Sequence, residues 1–469
     1  MGNTNTVSQL AKARCGALER RLILPFAVLA AVPFVMVLGN SMLIPVFPLL
    51  ERELSLSQFQ VGLLVTAFSI PAGVIIPFTG ALSDHVGRKN IIFPALLLYG
   101  AGGLVAGFSS LWLERPFGWI LAGRIIQGVG AGGTYQIALA LTGDLFSEGE
   151  RTKAVGILEA ANGFGKLISP IAGAALGLVA WHAPFFAYGI LAIPIGFLVW
   201  FIVKEPKRGR SRKGAREYLS ALAATFKAKA GPLFATYLAG TVGLFLLFGL
   251  LSYVSDELEA NYGLGGVVKG LVLAVPVTVM ATTSYTAGLI LQRHSGWLKG
   301  AIIGGLGAVG AGLAALGFSS GLWPLLVWSS LAGLGVGLKL PALNTLITGA
   351  TRADERGLVT ALYGTVRFFG VALGPPAFGL VQGGEKLIMF LAAGAIAGVA
   401  LAVVVFLVKP RLLLAEGEKQ AAAPQAAPAR RDSRASTRST YTLDAEGQSP
   451  LRGAEEGENA PISPDHCPF

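Results

Sequence analysis

The chain is poor in cysteine, histidine and charge. Its 469 residues include two cysteines, Cys15 and Cys467, one near each end. That excludes a disulfide framework and any cysteine cluster with metal-ligand spacing. The four histidines, His85, His182, His294 and His466, fall between or beyond the apolar runs. No His/Cys/acid constellation therefore stands inside those runs to support a membrane-embedded enzyme or a metal site, and neither is expected. Charged residues make up 13% of the chain, where a soluble domain has about a quarter. Acids are scarcer than bases, 26 against 37, for a net charge of +11. A basic surplus can suit nucleic acid. Here the cations gather in short polar stretches between hydrophobic runs, which argues against that partner. No cleavable signal peptide is expected, because the first apolar run is too long for an h-region and lacks a clear small-residue cleavage site.

What fills the chain is apolar sequence. Hydrophobic residues reach 53%, glycine 63 residues, and the mean hydropathy is +0.63. Abundant glycine lets helices approach closely in lipid. Twelve runs near 24–50, 60–82, 91–108, 119–141, 153–179, 184–203, 233–254, 267–291, 301–318, 325–349, 358–380 and 387–407 are long enough to cross a bilayer. Helices are the default, because each backbone amide in hydrocarbon must find its partner within the segment.

Charge sets the orientation. One side of this scheme receives Lys12, Arg14, Arg20 and Arg21, Arg88 and Lys89, Arg151 and Lys153, Arg293 and Lys299, Arg352 and Arg356, and Lys409 and Arg411. The other receives Arg52, Arg115, Lys269 and Lys386, with Asp256, Glu257 and Glu259 nearby. The positive side is expected to be cytoplasmic, with both termini inside the plasma membrane. The expected organisation is a cytoplasmic N-terminal segment (1–22), a six-helix bundle (23–203), a central cytoplasmic loop (204–232), a second six-helix bundle (233–408) and a disordered cytoplasmic tail (409–469). In the loop, Tyr218, Leu222 and Phe226 recur at i, i+4 and i+8, the pattern of an amphipathic helix on an anionic leaflet. The tail is rich in Ala, Pro, Ser, Gly and charge and cannot bury a core.

The most specific motif lies between the second and third runs: Gly80-Ala81-Leu82-Ser83-Asp84-His85-Val86-Gly87-Arg88-Lys89. A basic turn alone accounts for Arg88 and Lys89 but not for Asp84, Gly87 and their spacing. This G-x-L-x-D-x-x-G-R-K pattern resembles the loop between helices two and three of the major facilitator superfamily. Three further motifs resemble those of its twelve-helix drug:proton antiporters. The first run ends in Leu38-Gly39-x5-Pro45-Val46-Phe47-Pro48. The fourth carries Arg124-Ile125-Ile126-Gln127-Gly128-Val129-Gly130. The fifth carries Gly156-x8-Gly165-x3-Ser169-Pro170-x2-Gly173-Ala174, where the family has glycine at the positions of Ser169 and Ala174. Simpler readings exist for each: a proline-kinked helix end, an arginine snorkelling to the surface, and small residues for packing. The resemblance covers roughly residues 24–408.

The halves also repeat. A shift of 205 positions lays Gly128, Gly130 and Gly132 on Gly333, Gly335 and Gly337, Arg151 on Arg356, Gly165 on Gly370 and Pro170 on Pro375. The resemblance implies an all-α membrane protein of twelve transmembrane helices in two pseudo-symmetric six-helix bundles, working by alternating access. It implies proton-driven efflux of small amphipathic compounds, with no cofactor beyond the proton gradient, in a monomer. Asp84 and Arg88 are then expected in a cytoplasmic gating cluster with Asp144, together with Gly80, Gly87, Lys89 and Arg151. Gly156, Gly165, Ser169, Pro170 and Gly173 are expected to pack helices.

Polar groups inside the runs are the default functional candidates. Arg124, Gln127 and Glu159 are assigned to coupling, and Glu159, as the lone deep carboxylate, to proton carriage. Asn40, Asn162, Lys166, Lys339, Asn344, Tyr363 and Arg367 are assigned to a substrate cavity. Glu159, Asn162 and Lys166 fall at i, i+3 and i+7, on one stripe. The cations Arg124, Lys166, Lys339 and Arg367 outnumber that acid, which favours an anionic solute; the alternative is internal pairing of Glu159 with Lys339 or Arg367. Proton-coupled uptake of an organic anion and lipid translocation stay open as alternatives, as does a sensor on a transporter scaffold.

Overall fold

A computed structural model of the chain describes residues 23–146, 148–205, 215–350 and 356–414, without the side chains of 148–153, 155, 215–226 and 356–358. The expected N-terminal segment, the C-terminal tail from 415 and the Tyr218, Leu222 and Phe226 face lie outside this description, as does the Arg151 side chain. Every regular element among the described residues is helical. They are α1 (23–41), α2 (Phe47–Leu54), α3 (Gln58–Val86), α4 (Lys89–Trp112), α5 (Phe117–Gly132), α6 (Tyr135–Leu145), α7 (Glu148–Val179) and α8 (Ala183–Ile202) in the first half. The second half holds α9 (Ala215–Ala260), α10 (Gly266–Arg293), α11 (Leu298–Phe318), α12 (Leu322–Gly349), α13 (Arg356–Val381) and α14 (Lys386–Leu407).

Local sequence explains the ends. Ser57 caps α3 with a reciprocal capping box: its backbone N–H donates to Gln60 Oε1 at 2.8 Å and its Oγ accepts from Gln60 N at 3.3 Å. Gly87, at φ +103°, turns the chain into α4, a conformation that side chains with a Cβ rarely adopt. α9 is two helices joined at Lys229, whose φ of −126° and ψ of 25° leave the helical region.

Among the described residues, ten helical segments are long and apolar enough to cross a membrane. The two other expected crossings are built differently. The run 119–141 is α5 and α6, parted at Gly133 and Thr134. The run 153–179 is α7, which begins at Glu148; its 32 residues span about 48 Å, but polar side chains interrupt its apolar surface.

Packing repeats between the halves. α4 lies against α5 and α8, and α3 against α5; correspondingly α11 lies against α12 and α14, and α10 against α12. The repeated glycines make this possible. A Cβ on Gly128 would stand 2.2 Å from Phe68 O of α3, and one on Gly333 would stand 2.3 Å from Pro276 O of α10. Gly130 and Gly335 press equally on α4 and α11. Between the halves, α3 meets α13 and α7 meets α10. Here Gly62 abuts Pro375 and Pro376, and Gly270 abuts Pro170, so the proline of each half is met by a glycine of the other.

The α3–α4 turn marks one face of the molecule, the basic face; the start of α3 marks the opposite face. Among the described residues, the bonds joining the halves lie mostly toward the opposite face. Gln58 Nε2 donates to Asp256 Oδ2, Arg52 pairs with Glu259, Ser255 Oγ donates to Ile44 O at 2.8 Å and Thr66 Oγ1 to Ala372 O at 2.6 Å. The last of the series, Thr365 Oγ1 to Gly73 O at 2.7 Å, lies at mid-height.

Candidate functional site

Three sets of polar side chains stand out. The first sits at the basic face, where α3 turns into α4. Arg88 Nε lies 2.5 Å from Asp144 Oδ2 at the end of α6, and its Nη2 lies 3.4 Å from Asp84 Oδ1 one helical turn back. The turn itself is held from the segment just beyond α8. The Glu205 carboxylate accepts the backbone N–H of Arg88 at 2.7 Å and of Lys89 at 3.1 Å. Lys89 Nζ stands 5.1 Å from the centre of the Trp200 ring. Asp84, Gly87, Arg88, Lys89 and Asp144 are thus brought together, with Glu205, which the motif did not reveal. Gly80 differs: a Cβ there would meet nothing within 4 Å. All these groups belong to the first half, so the bonds named here brace that half.

The second set surrounds Arg124, which is fully buried. Its Nε donates to Leu64 O at 3.0 Å, Nη1 to Gly39 O at 2.7 Å and Gln127 Oε1 at 2.6 Å, and Nη2 to Asn40 Oδ1 at 2.5 Å. Asn40 is itself oriented by donating to Ser69 Oγ at 2.8 Å. The Phe68 ring lies 4.5 Å below the guanidinium. Arg124 therefore ties α1, α3 and α5 together, and Asn40, expected in the cavity, serves this knot instead. With no exposed surface, Arg124 reaches no solute in this conformation. Asn162 is also buried, donating to Pro33 O at 3.5 Å. It too is outside the lining of the cavity between the halves.

The third set faces the space between the halves. An apolar cavity there is lined by Ser41 and Ile44, by Lys166 and Pro170 of α7, by Leu244, Leu247, Phe248 and Leu251 of α9, by Leu273, Val277 and Met280 of α10, and by Leu340 of α12. Lys166 is the only charged side chain in that lining. Two turns away on α7, Glu159 is exposed and accepts a hydrogen bond from the Tyr135 hydroxyl of α6. It forms no ion pair with Lys339 or Arg367, so the internal pairing considered from the sequence is absent here. Arg367 of α13 stacks on Tyr363 at 5.3 Å, leaves its Nε without a partner, and lies close enough for its charge to act on Lys166 and Tyr135. Asn344 is exposed on α12. Lys339 is not in the cavity. It is fully buried, its Nζ donates to Ala239 O, and it fills the space beside Gly243 and Gly305.

The packing motif on α7 divides similarly. Gly165 lies against Val37 and Phe34, Gly173 against Met42 O, and Ser169 Oγ folds back on Gly165 O at 2.6 Å. Gly156 meets nothing.

The sequence model of the Major Facilitator Superfamily matches residues 29–305 and 233–443. The chain is 38% identical over 382 residues to the bacillibactin exporter of Bacillus subtilis (strain 168), covering 81% of this chain and 95% of that one. It is 27% identical to the class C tetracycline resistance protein of Escherichia coli, over 68% of this chain and 80% of that one. A solved bacterial homolog of the human lysosomal transporter Spinster, inward-facing and unoccupied, superposes with a TM-score of 0.65 at 18% identity, over 84% of this chain and 96% of that one. The human organic anion transporter MFSD10 superposes with a TM-score of 0.63 at 20% identity, over 82% and 99%. With its helical repeat, its central cavity and its α3–α4 motif, the chain belongs to the Major Facilitator Superfamily and is a multi-pass membrane transporter of the drug-efflux type.

Proposed function

We propose that the chain exports small amphipathic organic anions across the plasma membrane in exchange for protons, as a monomer with both termini in the cytoplasm. The carrying observation is the apolar cavity between the halves with Lys166 as its charged lining group. An ammonium in an apolar wall attracts an anion and repels a cation, while the leucines hold the solute's apolar body. Similarity to the bacillibactin exporter along nearly the whole of that protein supports the outward direction. With the basic face toward the cytoplasm, the bonds near the opposite face close the outer mouth, and the cavity then loads from inside.

Glu159 is the group proposed to carry the proton. It is a carboxylate at the same helix stripe as Lys166, held by a neutral tyrosine and not fixed by an ion pair. Proton and anion then compete for one set of charges, the physical basis of exchange.

The test uses inverted vesicles with an imposed pH gradient and matched labelled amphipathic anions and cations. Anion export by the wild type and a loss of about tenfold in Lys166→Gln are expected, the loss of one desolvated charge contact. Preferential export of cations would overturn the anion reading. Glu159→Gln should lose gradient-driven export and keep anion exchange without a gradient. Full gradient-driven export by that variant would remove Glu159 from coupling.

A further inference from the structure

The opposite face carries a second charged cluster that the cavity does not use. It is assembled from both halves: Glu51 and Arg52 on α2, Asp256 and Glu259 on α9, and Lys269 on α10. Its two cations are engaged by one acid. Arg52 pairs with Glu259 Oε1, and Lys269 Nζ lies 2.6 Å from Glu259 Oε2. Glu51 and Asp256 are left without an ion pair within this cluster. Asp256 is only 7% exposed; Gln58 of α3 donates to its Oδ2, while its Oδ1 is buried with no hydrogen-bond partner. Glu51 Oε1 is likewise buried and unpartnered. The two carboxyls come from opposite halves and lie close enough to repel if both are charged. Lys269 and Arg52 act on the pair from α10 and α2, the neutral Gln58 and Gln382 flank it from α3 and from the end of α13, and Glu257 on α9 is turned to the Tyr253 hydroxyl.

Two like charges close together in a buried seam, each with an unpartnered oxygen, are unfavourable even with Lys269 nearby, and a shared proton removes the repulsion. We propose that Glu51 and Asp256 form a proton site across the outer mouth, holding one proton while the halves are closed there and releasing it to the outer water when they part. The closed mouth then binds one proton more than the open one. Rising external pH opens the mouth and falling pH closes it. This proton enters and leaves on the same side, so it sets the gate and does not drive transport. The idea rests on the alternating-access reading above and adds to it a control of the outer gate by external pH.

Spin labels at Glu53→Cys and Asn261→Cys, two exposed positions on opposite halves of this mouth, report its opening in a background carrying Cys15→Ser and Cys467→Ser. Distances are measured in lipid nanodiscs with neither substrate nor gradient, from about pH 5 to about pH 9, a range that brackets perturbed carboxylates. The wild type should shift from a short to a long distance as pH rises. Glu51→Gln, Asp256→Asn and the double variant should keep the short distance throughout; the two single variants give the same reading independently if the double does not insert. A pH-independent wild type, or a double variant that responds like the wild type, overturns the proposal. Absence of gradient-driven export in a protein whose distance still responds would remove proton-coupled export and leave this gate standing. Export with an unresponsive mouth would do the reverse.

Discussion

Arg124 and Lys166 are both cations within the membrane region, yet their surroundings give them different tasks. Arg124 uses the planar fork of its guanidinium to reach acceptors on α1, α3 and α5 at once, which a single ammonium cannot do. Lys166 has an apolar wall around it and no such set of acceptors. The sequence exposes both as anomalies in apolar runs, but not which is which. Three acceptors of Arg124 are Leu64 O, Gly39 O and the side chain of Asn40, and a backbone carbonyl leaves no mark in a sequence. Glu51 and Asp256 were missed for a related reason: beside Arg52 and Glu259 at helix ends they read as surface charge, and their burial appears only when the halves meet. Arg124→Lys should therefore lower the melting temperature in detergent, at about 1.5–3 kcal/mol for each charged hydrogen bond lost, and reduce transport of every solute alike. Unchanged stability with altered solute preference would instead place Arg124 at the substrate.

At the scale of elements, the runs predict most helices well because length and apolarity suffice for them. They fail where polar requirements intrude. α5 and α6 part at Gly133 and Thr134, and α7 mixes a packing face carrying Gly165 and Gly173 with a face carrying Glu159 and Lys166. The turn between α3 and α4 was legible as a motif, but its fastening was not: Glu205, distant in sequence, receives both backbone N–H groups. The Arg88–Asp144 pair at 2.5 Å joins this turn to α6, and thereby couples three elements at the basic face. Asp144→Asn should leave membrane insertion intact and lower export about tenfold, since the half-buried Arg88 keeps a hydrogen bond but loses the ion pair. The exchanged pair Arg88→Asp with Asp144→Arg should recover part of that loss. Export at the wild-type rate in Asp144→Asn, measured in inverted vesicles at matched protein levels, would leave the pair without a role in cycling.

For the whole molecule, the repeat is the informative regularity. One shift of the sequence superposes the glycine rows of α5 and α12, and the helices those rows press upon are equivalent too. Two similar halves touching along α3–α13 and α7–α10 can rock about those seams without rebuilding either half. Opening the mouth at the opposite face then requires the upper parts of both seams to separate, including Gly62 from Pro376 and Thr66 from Ala372. Thr66 Oγ1 reaches Ala372 O at 2.6 Å, so cysteines at these two positions are near enough to be joined by a disulfide with modest adjustment. Thr66→Cys with Ala372→Cys, in a chain freed of Cys15 and Cys467, should transport normally when reduced. Oxidation should arrest export, by about tenfold or more, while solute added from the cytoplasmic side still binds. Reductant should restore the rate. Each single cysteine variant should be indifferent to oxidation, which separates locking from damage. Export that survives a complete cross-link would mean that the halves need not part along α3 and α13, and that solute leaves by another route.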